Sequence, residues 1–197
     1  MLQIQGMPKS ITDDFEVCGD ESTLVGFYSG AIPDARGRRL AVIQSWGFDE
    51  LEDTHDYIQW LFPLRTRSPV NPSAPILDSE VIAAFRSRRD LQDALLRSLE
   101  TMLRFYGFEL DCSGDLPNVR CSKQFDARAS NWMTPGKHNH LRITRILACL
   151  QTLGFSSHAE AVFRALQEVY WSKTQAKSQA ISEESFSFWK SAARLEK

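Results

Sequence analysis

Cysteine is scarce and poorly placed for metal binding. The four residues, at 18, 112, 121 and 149, form no CxxC pair and match no zinc-site spacing. Cys149 sits in an apolar helical run, the ordinary setting of a free buried thiol. The opening MLQIQGMPKSITDDFE lacks the basic start and apolar core of a secretory leader. Together these features point to a soluble chain in a reducing cytoplasmic or nuclear compartment. No apolar run reaches the length of a membrane span, so membrane insertion is not expected. Neither sign of charge dominates: 23 Lys and Arg stand against 25 Asp and Glu, a net −2. Such a chain has no global basic field to gather nucleic acid, and any anion site must be local. Convincing period-2 alternation and internal repeats are also missing, which argues against sheet-built and solenoid architectures.

What remains is helical. With 197 residues, 43% of them hydrophobic, the chain has enough apolar material for one substantial core. Residues 1–26 show no sustained period and are expected to form a variable arm; residues 27–197 form the domain. The turn chemistry of Gly30 to Gly37 precedes a short helix near Arg39 to Trp46. Asp49 with Glu52 has capping-box spacing and predicts a helix carrying Leu51, Ile58 and Phe62, stopped by Pro63. Pro69, Pro72 and Pro75 make 63–77 an extended, stiff connection. Asp78 caps a helix with Val81, Ile82 and Phe85. The strongest stripe is Leu91, Leu95, Leu99, Met102, Leu103 and Tyr106, with Asp90 as expected N-cap and Gly107 as C-terminal stop. The stretch 111–137 is polar and aperiodic and is expected to be a long loop. Helices follow over Leu141 to Leu153 and over 158–173, the latter capped by Ser157 and Glu160. The last runs near 183–194 and carries Phe186 and Trp189. The expectation is an all-α, single compact domain of about six helices with two long loops.

One string is recognisable: Thr54-His55-Asp56-Tyr57-Ile58-Gln59-Trp60-Leu61-Phe62-Pro63-Leu64. It resembles the conserved region of the opioid growth factor receptor family. Three other stretches agree in the same order: Phe27-Tyr28 with Ile32 to Arg38, Met102 to Gly107, and His138-Asn139-His140-Leu141-Arg142-Ile143-Thr144-Arg145-Ile146-Leu147. The resemblance covers about residues 27–170. It implies a helical fold and a binding role. The animal members are associated with an enkephalin peptide, growth restraint and the nuclear periphery, and they carry long additional C-terminal sequence. It supplies no catalytic residue.

Bottom-up, the same strings hold the candidate site. On a continuous helix, His55 would share the face of Leu51, Ile58 and Phe62, with Gln59 one turn on. Polar groups on a buried face need partners, either inside the core or in a ligand. His138, Arg142 and Arg145 form a stripe bordering the apolar arc, continued by Cys149. Arginine forks there hold either loop carboxylates from 111–137 or an anionic ligand. Arg145, deeper in the helix, is expected to be the internal clamp, and Arg142, nearer the loop, to face a pocket. Of the aromatics Trp46, Tyr57, Trp60, Phe62, Trp132 and Trp171, most are expected in the core, with Trp60 and Trp132 able to line an apolar pocket. The candidate ligand-contacting set is therefore His55, Gln59, Trp60, Trp132, His138, Asn139, Arg142 and Arg145. A metal reading of His138, His140 and His55 finds no fixed acidic partner, because i and i+2 histidines diverge on a helix. A DNA-reading helix-turn-helix over Arg142 to Leu166 lacks base-reading side chains.

Two functions fit these features. One is a module that binds a peptide, protein or small-molecule ligand without cofactor, metal or nucleic acid. The other is a cofactor-independent enzyme of small-molecule metabolism, an isomerase or cyclase, with an aromatic-lined pocket. The HDYIQWLFPL and HNHLRITRIL strings are expected side by side in either case.

Overall fold

The computed structural model describes residues 22–134, 136, 138–175 and 180–194. Among them are ten helices and one small hairpin. The axis is α6 (Arg89–Tyr106), and the expected stripe from Leu91 to Tyr106 is buried along its length. Ala94, Ser98, Thr101 and Phe105 are buried as well, so the helix is enclosed on more than one side. The enclosing elements are α1 (Thr23–Tyr28), α2 (Leu40–Gln44), α5 (Ser79–Ser87), α7 (Phe125–Trp132) and strand β1 (Phe108–Asp111). A second layer consists of α8 (His138–Thr152), α9 (Ser156–Gln175) and α10 (Glu183–Ala192), packed on one another. The described part of the expected arm, residues 22–26, is the N-cap and start of α1, where Leu24 and Val25 are buried.

Several local signals act as the sequence predicts. Asp78 Oδ1 accepts the Val81 N–H at 2.8 Å and starts α5. Gly107 ends α6 at φ +90°, and a Cβ placed there would meet Phe125 Cα at 2.8 Å. Glycine is thus required twice over, by conformation and by space. Segment 63–77 runs without helix or strand, as its prolines dictate.

Several expectations are corrected. The helix expected from Asp49 to Phe62 is two helices, α3 (Phe48–Asp53) and α4 (Ile58–Leu61), with a corner between them. A continuous helix needs the Leu51 carbonyl for an amide one turn on; Arg142 and the Tyr57 hydroxyl take it instead, at 2.8 and 3.0 Å. The N-cap of α3 is Gly47, whose N–H is accepted by Glu50 at 2.9 Å, and Asp49 lies in the first turn. Likewise α6 starts after Arg88, leaving Asp90 in its first turn paired to Arg88 at 2.7 Å, and Ser157 lies inside α9, which starts at Ser156. The supposed loop 111–137 contains β2 (Asn118–Cys121), antiparallel to β1 from Phe108↔Cys121 to Asp111↔Asn118, and then α7. Such short elements leave almost no period to read: Val119 is the single buried residue of β2, and Phe125, Ala129 and Trp132 are the whole buried face of α7. Trp171, grouped with the core aromatics, is 51% exposed.

Candidate functional site

The first two turns of α8 hold the HDYIQWLFPL string through its backbone. Arg142 is buried and donates to four oxygens: Leu51 O at 2.8 Å, Thr54 O at 2.7 Å, Glu52 O at 3.5 Å and Asn139 Oδ1 at 3.2 Å. Its guanidinium also stands 5.3 Å over the Tyr57 ring. Asn139, fully buried, donates to Glu52 Oε2 at 2.8 Å, and His138 Nε2 lies 3.7 Å from Glu52 Oε1. One turn further, Arg145 donates to Phe62 O at 3.2 Å. The two arginines therefore bracket α4, one at its entry and one at its exit, and the two strings lie side by side as expected.

The other side of the same corner is tied down by ion pairs. Asp34 Oδ1 accepts the backbone N–H of Arg36 and Arg38 at 2.9 and 2.8 Å, and its Oδ2 accepts Arg38 Nε at 2.7 Å. Arg36 and Arg38 continue to Asp56 at 3.1 and 2.8 Å. Burial would raise the Asp56 carboxyl, but the hydrogen bonds and charges of Arg38 and Arg36 outweigh it and hold it below its ordinary value. The corner 54–57 is thus fixed from both sides.

Beside this corner opens a cleft of about 350 Å³. Its walls are α4 (Ile58, Gln59), α8 (Leu141, Thr144, Arg145, Ala148) and the proline-stiffened segment (Leu64, Ser68, Pro69, Val70). His55 and His138, their rings stacked at 4.8 Å, stand at the end nearer Arg142. The lining is mostly apolar, and Val70 and Leu141 face outward on it, 76% and 69% exposed. Gln59 is only 5% exposed, and its Oε1 has no hydrogen-bond partner among the described residues. A second hollow of about 400 Å³ mixes Arg97 and Arg104 with Glu100 and Glu109, and holds none of the eight candidate residues.

Of those eight, the cleft gathers His55, Gln59, His138, Arg142 and Arg145. Asn139 stands behind Arg142 and braces it. The two tryptophans are core residues: Trp60 packs on Phe27, and Trp132 donates its Nε1–H to Tyr106 O at 2.9 Å. His140 is turned away from His138. Its Nε2–H donates to Trp132 O at 2.9 Å, so its Nδ1 accepts from the Ser185 hydroxyl at 3.0 Å. Desolvation lowers its pKa despite the hydrogen bond to Trp132. The expected division of the arginines is reversed: Arg142 is the clamp and Arg145 faces the open cleft. Nor does Arg142 pair with carboxylates of 111–137; its hydrogen-bond acceptors are Asn139 and the backbone carbonyls of residues 51–54. The wall from Leu64 to Val70 was absent from the candidates, although an apolar Val70 next to Pro69 in a stiff polar connection was a usable signal.

Residues 22–197 match the conserved region of the opioid growth factor receptor. The chain belongs to this family. The rat opioid growth factor receptor is 36% identical over 155 residues, covering 77% of this chain and 26% of the relative. The human receptor is 39% identical over 131 residues, 64% of this chain and 19% of its own length. Mouse opioid growth factor receptor-like protein 1 is 36% identical over 125 residues, 59% of this chain and 25% of its own. The chain thus spans about a quarter or less of the length of these relatives. No solved structure matches it. Within the family region, both recognisable strings serve one arrangement, the α3–α4 corner and the cleft beside it. No helix of the described residues is long and apolar enough to cross a membrane.

Proposed function

We propose that this domain is a binding module that seats an apolar segment of a peptide or protein partner in the cleft between α4, α8 and residues 64–70. The observation behind it is that cleft, apolar in lining and edged by exposed Val70 and Leu141, with the unpartnered amide oxygen of Gln59 in its wall. Monomeric surfaces seldom leave apolar side chains clustered without a use, and a few fixed polar groups among apolar ones set a ligand's orientation. The relatives are named as receptors, which favours binding and gives no support to the isomerase or cyclase reading. Cytoplasm or nucleus remains the proposed location.

Selection of phage-displayed random dodecapeptides on the immobilised chain, followed by calorimetric titration of the winners, tests the proposal. Val70→Ser and Leu141→Ser, both at exposed positions, should fold normally and weaken binding about tenfold each, the loss of one well-packed aliphatic contact. Unchanged affinity in both variants would move the site elsewhere. Tight binding of a small metabolite in that cleft, with no peptide enriched, would overturn the peptide reading.

A further inference from the structure

Most arginines with a described ionic contact have a carboxylate within reach. Arg36 and Arg38 have Asp56 and Asp34, Arg88 has Asp90, Arg89 has Asp93 and Arg120 has Glu109. Arg142 has its set of carbonyls. Arg145, like Arg67 and Arg128, has only a backbone carbonyl among its described hydrogen-bond partners, but of these three it is the one that lines the cleft. It is half-buried in the cleft wall, carries five N–H donors and directs one of them to Phe62 O. No carboxylate of the described residues lies within 4.0 Å of it. Burial lowers its pKa, but a guanidinium stays charged, so a cation partly removed from water stands without a counter-ion.

The surroundings point the same way. Two arginines and two histidines line the cleft and no Asp or Glu does, in a chain whose net charge is −2. The donor at Arg145 is a lone side-chain fork two turns into α8. Chain termini are captured by clusters of backbone N–H groups, whereas a lone fork suits a carboxylate on a side chain. Gln59, also in this wall, is buried, and its Oε1 has no hydrogen-bond partner among the described residues.

We infer that the segment seated in the cleft carries an internal Asp or Glu whose carboxylate docks on Arg145, flanked by aliphatic side chains that cover Val70 and Leu141. The inference rests on the binding reading above and names its ligand's chemistry.

Two display libraries separate the possibilities, one with the random segment internal and one ending in a free carboxylate. The internal library should yield peptides with one Asp or Glu between aliphatic residues. Replacing that acid by its amide, or Arg145 by Met, should each weaken binding about tenfold or more, with little further loss when combined. A ligand-free arm uses Leu141→Glu, which places a carboxylate four residues before Arg145. It should block the cleft and raise Tm by about 1–2 °C over Leu141→Gln, a gain that vanishes in the Arg145→Met background. Neutral winners whose binding still falls in Leu141→Ser would keep the cleft and remove the carboxylate. Enrichment only among free termini, or no gain from Leu141→Glu, would overturn the inference alone. Enrichment in neither library would reject both it and the binding reading.

Discussion

Three residues apart on α8, Arg142 and Arg145 meet two unlike environments. Around Arg142 four hydrogen bonds are made inside the molecule: Leu51, Glu52, Thr54 and Asn139 supply oxygens, and Asn139 is itself held by Glu52. Around Arg145 the wall opens, one carbonyl is used, and the neighbouring Gln59 oxygen waits unpartnered. A filled polar network fixes a backbone corner, whereas an unfilled one beside it is where a second molecule can contribute free energy. On the proposed reading, the same residue type in one motif serves structure at one turn and recognition at the next.

The contrast breaks most visibly at Arg142. Replacing it with Met takes the donor from the Thr54 carbonyl, leaves the Leu51 carbonyl with the Tyr57 hydroxyl alone and removes the cation from the Tyr57 ring. Stability should fall by about 3–5 kcal/mol, read from the midpoint of urea unfolding. A loss below about 1 kcal/mol would mean that the corner is held by packing alone. Asn139→Ala tests the brace behind it. It removes the donor to Glu52 and one acceptor of Arg142, and should cost about 1–3 kcal/mol in the same assay. Coupling between the two substitutions should be positive, because they share one network.

How much of this was legible in the sequence depends on where each residue's partner lies. The faces of α5, α6 and α10, the start at Asp78 and the stop at Gly107 follow from neighbours within a few residues, and these were readable. The corner at 54–57 was not, because one of the two groups that claim the Leu51 carbonyl, the Arg142 guanidinium, is 91 residues away. Helical periodicity therefore ran straight through a break that tertiary contact imposes. The hairpin and α7 were missed for a different reason: four-residue strands and an eight-residue helix leave too few buried positions to show a period. The motifs named five residues that line the cleft, yet Arg142 and Arg145 stand the other way round from the expected clamp and pocket positions. Depth along the helix does not report which wall a side chain faces, and the decisive wall, Leu64 to Val70, comes from a stretch with no period at all.

A pH titration sharpens the comparison from the far side of α8. His140 is held neutral between Trp132 O and Ser185, and desolvation is the main cause of its lowered pKa. The unfolded chain takes up this proton first as pH falls, so stability is full above about pH 6.5 and declines below it toward the folded-state pKa. His158, also lowered by burial, adds to the same slope. Thermal unfolding between pH 7.5 and 5 should show this decline, and His140→Gln should flatten part of it. An unchanged slope in that variant would show that His140 is not the group responsible.

The smallest expected change in stability belongs to Arg145→Met, and it decides what Arg145 is for. The substitution removes one hydrogen bond, to Phe62 O, a contribution of about 1 kcal/mol. Against this, a cation standing partly out of water without a counter-ion disappears, and the Met side chain keeps much of the apolar stem in place. The two effects oppose each other, and the unfolding midpoint should move by less than about 1 kcal/mol in either direction. Peptide binding, by contrast, should fall steeply, the pattern of a residue retained for recognition at little benefit to the fold. A loss of stability as large as that of Arg142→Met would make Arg145 a second clamp on α4. The cleft would then lose its anion-binding centre, and the difference between the two turns of α8 would be one of exposure alone.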